Sequence, residues 1–201
     1  MIMISAIILA AGESKRMRQP KMLLPWGNTT VLGHVIQVYQ NASLGKIIVI
    51  TGAERNAVEQ VASEQGVPSL HNPDYSRGEM LSSIQAGLRS LDTDVNAALI
   101  CLGDQPQVQE SVVRGILQRF EQEQVPLIVP SYKMRRGHPW LVSRTLWPAI
   151  LDLKSASSTR EFLMKYASQI TYLIVETPSV VEDLDTPEEY QQQIKRTDKF
   201  H

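Results

Sequence analysis

The chain has 201 residues, of which 43% are hydrophobic and 20% charged, and its formal net charge is −1. This length and composition are typical of a globular protein with a substantial core. A net charge near zero lacks the overall positive charge that nucleic-acid binding usually requires. The single cysteine, Cys101, excludes an internal disulfide and a zinc site built from cysteines, and it fits a reducing compartment.

The first ten or so residues are apolar and end in small residues, as in a signal peptide. They lack a preceding basic region, however, and the run is shorter than the roughly 20 residues that span a bilayer. We therefore predict a buried first strand over residues 3–9. We expect a cytoplasmic protein with no membrane partner.

Apolar strand-type runs and helix-type periodic segments alternate along most of the chain. The turn Gly27-Asn28 closes a short apolar run, and Thr29 or Thr30 can cap the helix that follows. Strands are predicted at residues 3–9, 46–51, 67–71, 96–102, 127–129 and 170–175, with a hairpin or interrupted strand at 133–142. Helices are predicted after Thr30, at 54–65, 78–91 and 111–123, over most of 143–167 with a polar break at 155–158, and after Thr186.

This alternation predicts a three-layer α/β/α, Rossmann-like fold with a mostly parallel central sheet. No linker or repeat divides the chain, so we predict a single domain over residues 1–194 and a frayed polar tail at 195–201. In such folds ligands bind beyond the carboxyl ends of the strands. The polar segments that follow strand ends are therefore the candidates for a site.

The loop after the first strand, residues 10–21, carries small residues and then cations. Two alanines and Gly12 precede Ser14, Arg16 and Lys21. Small residues let the backbone approach an anion closely, and the cations supply positive charge. The spacing matches neither the P-loop nor the dinucleotide-binding fingerprint. From the residues alone, a polyphosphate cradle competes with a plain turn that carries solvated lysines.

Carboxylates follow another strand and precede the last helix. Asp104 comes directly after the strand at 96–102 and is either a turn cap or a ligand for Mg²⁺, which prefers a few carboxylate oxygens with phosphates and water. Asp183 and Asp185 precede the capping box predicted at Thr186 and Glu189. If the chain returns there beside the first strand, both carboxylate clusters can face one metal ion.

Two further motifs carry polar side chains at element ends. Ser82 and Ser83 lie near the start of a predicted helix, where hydroxyl and free N–H groups can bind a base or a ribose. Ordinary helix capping explains these serines equally well. His138 follows Arg136 on a turn and is either a structural or a catalytic histidine.

The sequence contains no recognisable nucleophile–histidine–acid triad. Nucleotidyl transfer does not need one, because an attacking phosphate is already ionised at pH 7. Catalysis then depends on positioning and on the neutralisation of charge.

The loop Leu9-Ala10-Ala11-Gly12-Glu13-Ser14-Lys15-Arg16-Met17 with Pro20-Lys21 resembles the signature loop of nucleotidyltransferases that activate sugars and cofactors with nucleoside triphosphates. The matches run in order from residue 4 to about residue 190. Four further segments are similar to the molybdenum cofactor cytidylyltransferase group: residues 78–87 (GEMLSSIQAG), Gly103-Asp104-Gln105-Pro106, Gly137-His138-Pro139 and residues 183–188 (DLDTPE).

The resemblance implies a fold of the nucleotide-diphospho-sugar transferase type and transfer of CMP from CTP to a molybdopterin-bound molybdenum cofactor. It further implies Mg²⁺ as cofactor, pyrophosphate as product, and a recipient molybdoenzyme or chaperone as partner. By the same resemblance Arg16, Lys21 and Asp104 are catalytic, Asp104 and Asp185 bind the metal, and His138 lies on the acceptor side. The implied nucleotide contacts are Leu9, Ala10, Ala11, Gly12, Ser14, Arg16, Lys21, Ser82, Ser83 and Asp104.

Arg18 departs from the family pattern, which usually has glycine after the loop methionine. If that glycine serves a positive φ or a close phosphate approach, an arginine changes the loop. Otherwise its side chain points outward or adds a phosphate contact. The alternatives to the cytidylyltransferase are a guanylyltransferase, a transferase acting on a sugar or polyol phosphate, a non-catalytic partner that hands over the cofactor, and a metal-dependent glycosyltransferase.

Overall fold

A computed structural model describes residues 2–77, 79–154 and 157–197. The strands are β1 (Ile4–Ala10), β2 (Pro25–Trp26), β3 (Thr29–Thr30), β4 (Lys46–Thr51), β5 (Ser69–His71), β6 (Ala97–Leu102), β7 (Leu127–Tyr132), β8 (Arg135–Arg136), β9 (Trp140–Ser143) and β10 (Ile170–Ile174). The helices are α1 (Val31–Asn41), α2 (Arg55–Glu64), α3 (Glu79–Ser90), α4 (Glu110–Glu123), α5 (Trp147–Leu151), α6 (Thr159–Lys165) and α7 (Pro187–Thr197). Short 3₁₀ turns lie at Lys21–Leu23, Arg144–Leu146, Ala167–Gln169 and Pro178–Val180.

One large sheet has the strand order β10-β7-β9-β6-β1-β4-β5, and β8 pairs with the end of β7. Strand β9 is antiparallel to both of its neighbours and β8 is antiparallel to β7, whereas the other pairs are parallel. Strands β2 and β3 form a separate hairpin around the predicted turn. The prediction of a mostly parallel sheet is confirmed.

Helices cover both faces of the sheet, and side chains of the interior strand β1 pack against the helices on both faces. Ala6 and Ile8 of β1 pack in one cluster with α1, α2 and α4. Ile7 and Leu9, which point the opposite way, pack with α3, α5 and α6. Every residue of β1 is buried, as expected for a central parallel strand. The three-layer α/β/α prediction is confirmed.

Most element bounds lie within one or two residues of the prediction, but two segments differ. Strand β7 was predicted to end at residue 129, yet it continues through Pro130 because Ser131 pairs with both β8 and β10. The segment 143–167 was predicted to be mostly helical with a polar break at 155–158, and it does hold α5 and α6 on either side of a break, but 3₁₀ turns form part of it and its first residue ends β9.

Parts of three predictions lie outside the described residues. These are the helix start at Gly78, residues 155 and 156 of the predicted polar break, and the tail beyond Thr197. Up to Thr197 the predicted tail continues helix α7. Over the described ranges, the helices all fall short of the length and apolarity that crossing a membrane would require.

Candidate active site

The polar segments that follow β1 and β6 lie at the same edge of the sheet, as expected after parallel strands. In the parallel pair β1–β6, Leu9 lies opposite Leu102, so the loop after β1 and the turn after β6 leave the sheet side by side. The Gly103 N–H donates to the Leu9 carbonyl at 3.0 Å. A Cβ on Gly103 would lie only 3.0 Å from that oxygen and 3.1 Å from the Met22 sulfur. Glycine therefore allows these two segments to meet closely.

A cavity of about 330 Å³ opens at this edge, a size within the usual range for small-molecule sites. Ala10 and Ser82 are not part of its described lining, since Ala10 packs into the core and Ser82 bonds to Asn72 and the Asp74 carbonyl. The predicted site residues that do line the cavity are Leu9, Ala11, Gly12, Ser14, Arg16, Lys21, Ser83, Asp104 and Asp185.

Two internal hydrogen bonds and one buried side chain shape the loop between β1 and the Lys21 turn. Ser14 has a φ of 51°, its carbonyl accepts from the Met17 N–H at 3.0 Å, and its Oγ accepts from the Lys21 N–H at 3.2 Å. Met17 is buried and anchors the loop. A Cβ built on Gly12 meets no atom within 4 Å, so this glycine leaves space in the cavity.

Two cations and two carboxylates of the cavity lining form ion pairs with one another. Lys21 Nζ forms an ion pair with Asp104 and lies 3.0 Å from Asp185 Oδ1, while Arg16 pairs with the other oxygen of Asp185. The Lys21 side chain is only 12% exposed, whereas that of Arg16 is 73% exposed. Burial alone would lower the pKa of Lys21, but the two carboxylates outweigh it and raise the pKa. Lys21 is therefore charged at neutral pH.

The two carboxylates of the Asp-x-Asp segment face different surroundings. Asp185 lines the cavity, whereas Asp183 accepts a hydrogen bond from the buried Gln105 amide at 3.0 Å. Burial raises the pKa of Asp183, and the nearby Asp104 and Asp185 add to the effect. This segment is an irregular connection, and no strand lies beside β1 there within the described residues.

The predicted capping box at the start of α7 is confirmed, and it fixes the backbone of Asp185. Thr186 Oγ1 accepts from the Glu189 N–H at 3.2 Å. Glu189 Oε2 accepts from the N–H groups of both Asp185 and Thr186 at 2.9 Å. The helix start therefore positions the carboxylate that pairs with Lys21.

His138 lies outside the cavity lining, although it is close to the same edge of the sheet. Its ring stacks on Trp140 with centroids 4.6 Å apart, and Trp140 lies opposite Ile100 of β6. Its Nε2 atom is buried and has no hydrogen-bond partner among the described residues. Burial lowers the pKa of His138 to about 4, so the ring is neutral at pH 7. A neutral ring cannot act as a cation for an acceptor phosphate.

Asn72 is a buried polar residue of this region that is not among the predicted site residues. It begins the turn Asn72-Pro73-Asp74 after β5, and its amide donates hydrogen bonds to both Ser82 and Ser83. The available signal was an asparagine two residues before an aspartate, directly after a strand, which is typical of an Asx turn that holds its own side chain in place.

Arg18 has a φ of 56°, in the left-handed region that glycine adopts most easily. Glycine, which the resemblance implies at this position, would adopt this conformation without strain, whereas here an arginine adopts it. A non-glycine residue in that conformation costs roughly 1–2 kcal/mol.

We expect Arg18→Gly to raise the free energy of unfolding by about 0.5–1 kcal/mol, because relief of strain exceeds the added chain entropy of glycine. Urea denaturation measures the change. Lys15→Gly is the matched control, since Lys15 is in the same loop but is not among the residues with positive φ. Equal effects of the two substitutions would contradict the explanation by strain.

The fold and the site together define a class of protein. Cations and metal-type carboxylates at the carboxyl edge of a parallel sheet provide the charge neutralisation that transfer of a nucleotidyl group requires, without a covalent nucleophile. These are the features expected of a nucleotidyltransferase.

Comparison with known proteins gives the family. Residues 6–170 match the model of the MobA-like NTP transferase domain, and the chain belongs to this family. It is 31% identical to the molybdenum cofactor cytidylyltransferase of Escherichia coli K12 over 93% of each chain. It is also 28% identical to the nicotine blue oxidoreductase of Paenarthrobacter nicotinovorans, over 92% of this chain and 94% of that one.

Solved structures share the fold of this chain. The crystal structure of Rv0371c from Mycobacterium tuberculosis H37Rv is 27% identical, with a TM-score of 0.85 over 96% of this chain and 98% of that chain. A complex of Rv0371c with manganese superposes with a TM-score of 0.80 at 25% identity, over the same shares of the two chains. The family match confirms the resemblance of the signature loop to that of nucleotidyltransferases.

Proposed function

We propose that this protein transfers CMP from CTP to a molybdopterin-type cofactor and releases pyrophosphate. The observation that carries the proposal is the cluster in which Arg16 and Lys21 meet Asp104 and Asp185 at the cavity. The similarity over nearly the whole chain to a molybdenum cofactor cytidylyltransferase supports the choice of nucleotide and acceptor. A molybdoenzyme or a chaperone would receive the product.

The residues present fit a bound Mg²⁺. The carboxylates of Asp104 and Asp185 converge on one cation position, which the Lys21 ammonium occupies. Two carboxylate oxygens completed by phosphate and water are a donor set that Mg²⁺ prefers. Among the described residues, no group of three or more metal-binding side chains is found. A bound Mg²⁺ would neutralise charge on the triphosphate.

The protein's own groups bind the triphosphate and border the acceptor. The small residues at Ala11 and Gly12 leave room for the triphosphate beside the backbone, and Arg16 and Lys21 bind its oxygens. An oxygen of the ionised acceptor phosphate attacks the α-phosphorus, and the bond between that phosphorus and the β-phosphate oxygen breaks. Pyrophosphate carries away the electron pair, so no protein base is needed. His138, neutral and stacked on Trp140, would form a wall on the acceptor side.

Thermal unfolding with each of CTP, GTP, ATP and UTP, with and without Mg²⁺, tests the nucleotide. CTP with Mg²⁺ at 100 times its Kd is expected to stabilise the protein by about 2.7 kcal/mol, or roughly 5–10 °C in Tm. Mg²⁺ alone is the control. Stabilisation by GTP and not by CTP would contradict the assignment. Pyrophosphate release on mixing CTP with the cofactor then separates an enzyme from a non-catalytic partner.

A further inference from the structure

Asn72 is held in place from two sides. It directly follows β5 and its side chain is almost fully buried, at 3% exposed. Its N–H donates to the Thr51 carbonyl of the adjacent strand at 2.9 Å. Its Oδ1 accepts from the Asp74 N–H at 3.0 Å. The backbone and the side-chain oxygen are therefore both fixed.

These contacts determine which way the Asn72 amide points. A backbone N–H can only donate, so the atom that accepts from Asp74 must be Oδ1. The amide nitrogen then faces α3, where it donates to Ser82 Oγ at 2.9 Å and to Ser83 Oγ at 3.0 Å. Both serine oxygens are thereby acceptors of the amide protons.

The polarity of Ser83 follows from this arrangement. Its side chain is buried, yet it lines the cavity. Because its oxygen accepts from Asn72, its own O–H proton is left to donate. Within the described ranges the bond from Asn72 is the one hydrogen bond of this hydroxyl. An acceptor atom of a ligand in the cavity would complete its bonding.

The surroundings of Ser83 favour a nucleobase over a phosphate. Met80 lies three residues earlier on α3 and so shares its helix face, and both line the cavity with Tyr75, Leu9 and Leu102. This part of the lining is apolar or aromatic, as a planar base requires. The charged part of the lining comes instead from the N-terminal loop and the two carboxylates.

We propose that Asn72 is a positioning residue that fixes Ser83 as a hydrogen-bond donor to an acceptor atom of the nucleobase. The inference rests on the proposed function. Cytosine presents two adjacent acceptors, O2 and N3, to such a donor. On the corresponding edge of guanine, the acceptor O6 adjoins the N1–H and N2–H donors, so the same hydroxyl would meet a different pattern of donors and acceptors. Asn72 thus acts on nucleotide choice through Ser83 without touching the ligand.

Asn72→Asp tests the proposal because it keeps the size of the side chain and the bond to the Asp74 N–H. Its second oxygen can only accept when ionised, so the serine hydroxyls turn toward it and away from the ligand. The KM for CTP is expected to rise about tenfold or more, while kcat at saturating CTP stays within about twofold. The preference for CTP over GTP, measured as the ratio of their kcat/KM values, should fall as the KM for CTP rises.

A double-mutant cycle with Ser83→Ala distinguishes positioning from a general structural effect. If Asn72 acts through Ser83, the double variant loses no more CTP affinity than either single variant. Additive losses, or a fall in kcat with no change in KM, would overturn the inference. If Asn72→Asp does not fold, Ser83→Ala alone carries the test, and unchanged CTP affinity refutes the proposal. Failure of the wild-type protein to bind CTP refutes the proposed function instead.

Discussion

Asp104→Asn is expected to slow pyrophosphate release from CTP by about 10²–10³-fold, the usual loss when one preorganised electrostatic group is removed from an active site. The amide keeps the shape of the side chain but not its charge, so one of the two carboxylates that converge on the cation position is lost. The fold should survive, because Lys21 keeps its bond to Asp185 at 3.0 Å.

Single-turnover measurements of pyrophosphate release give this effect directly, and circular dichroism reports the fold. Asp92→Asn is the matched control, since Asp92 also pairs with a lysine, Lys46, near the amino ends of the strands and far from the cavity. That control should turn over normally. Normal turnover in Asp104→Asn would remove Asp104 from the catalytic and metal-binding assignment.

Lys21→Met is expected to weaken CTP binding by about 10–100-fold, the value of a hydrogen bond to a charged group. In the free protein, however, Lys21 binds the two carboxylates proposed for the metal. When a metal ion binds these carboxylates, the Lys21 ammonium must give up both contacts before it can bind phosphate. The variant should therefore bind Mn²⁺ about tenfold more tightly without nucleotide, because no ammonium has to be displaced.

The same substitution should destabilise the metal-free protein. It leaves Asp104 without its cation, whereas Asp185 keeps its ion pair with Arg16. Because the site is partly buried, we expect a loss of about 2 kcal/mol, between the values for exposed and fully buried pairs. Titration calorimetry with CTP, Mn²⁺ binding followed by electron paramagnetic resonance, and urea unfolding measure the three effects. Lys46→Met is the matched control. Unchanged Mn²⁺ affinity in Lys21→Met would contradict competition between the ammonium and the metal.

Much of the fold could be predicted because local patterns and the final structure agree. The apolar runs of β1, β4 and β6, the Thr30 cap and the Thr186 capping box each depend on neighbouring residues alone. The order of strands depends on tertiary pairing. The antiparallel insertion of β9 between β6 and β7, and the extension of β7 through pairing with β10, therefore had no local signal.

The positions of site residues could be predicted where polar residues follow the end of a strand. They could not be predicted where they depend on contacts between residues distant in sequence. Gly12 and Asp104 follow the ends of adjacent parallel strands, so their proximity follows from topology, whereas Lys21 begins the 3₁₀ turn that closes the first loop. The ion pair between Lys21 and Asp185 joins residues 164 positions apart. The role of Asn72 depends on the orientation of one buried amide, which a turn motif does not specify.

Helix α7 anchors Asp185 but belongs to neither main core. Leu184 packs with Trp26 and Val31 in a small separate cluster, and the Tyr190 hydroxyl donates to the Pro25 carbonyl at 2.6 Å. We expect the helix to open locally before the main cores unfold, because its apolar contacts lie in that small cluster. Each detachment removes the anchor of Asp185, so the apparent affinity for a metal-bound nucleotide is scaled by the fraction of molecules in which the helix is docked. Residues of the Trp26 cluster would then tune binding strength without contacting the ligand.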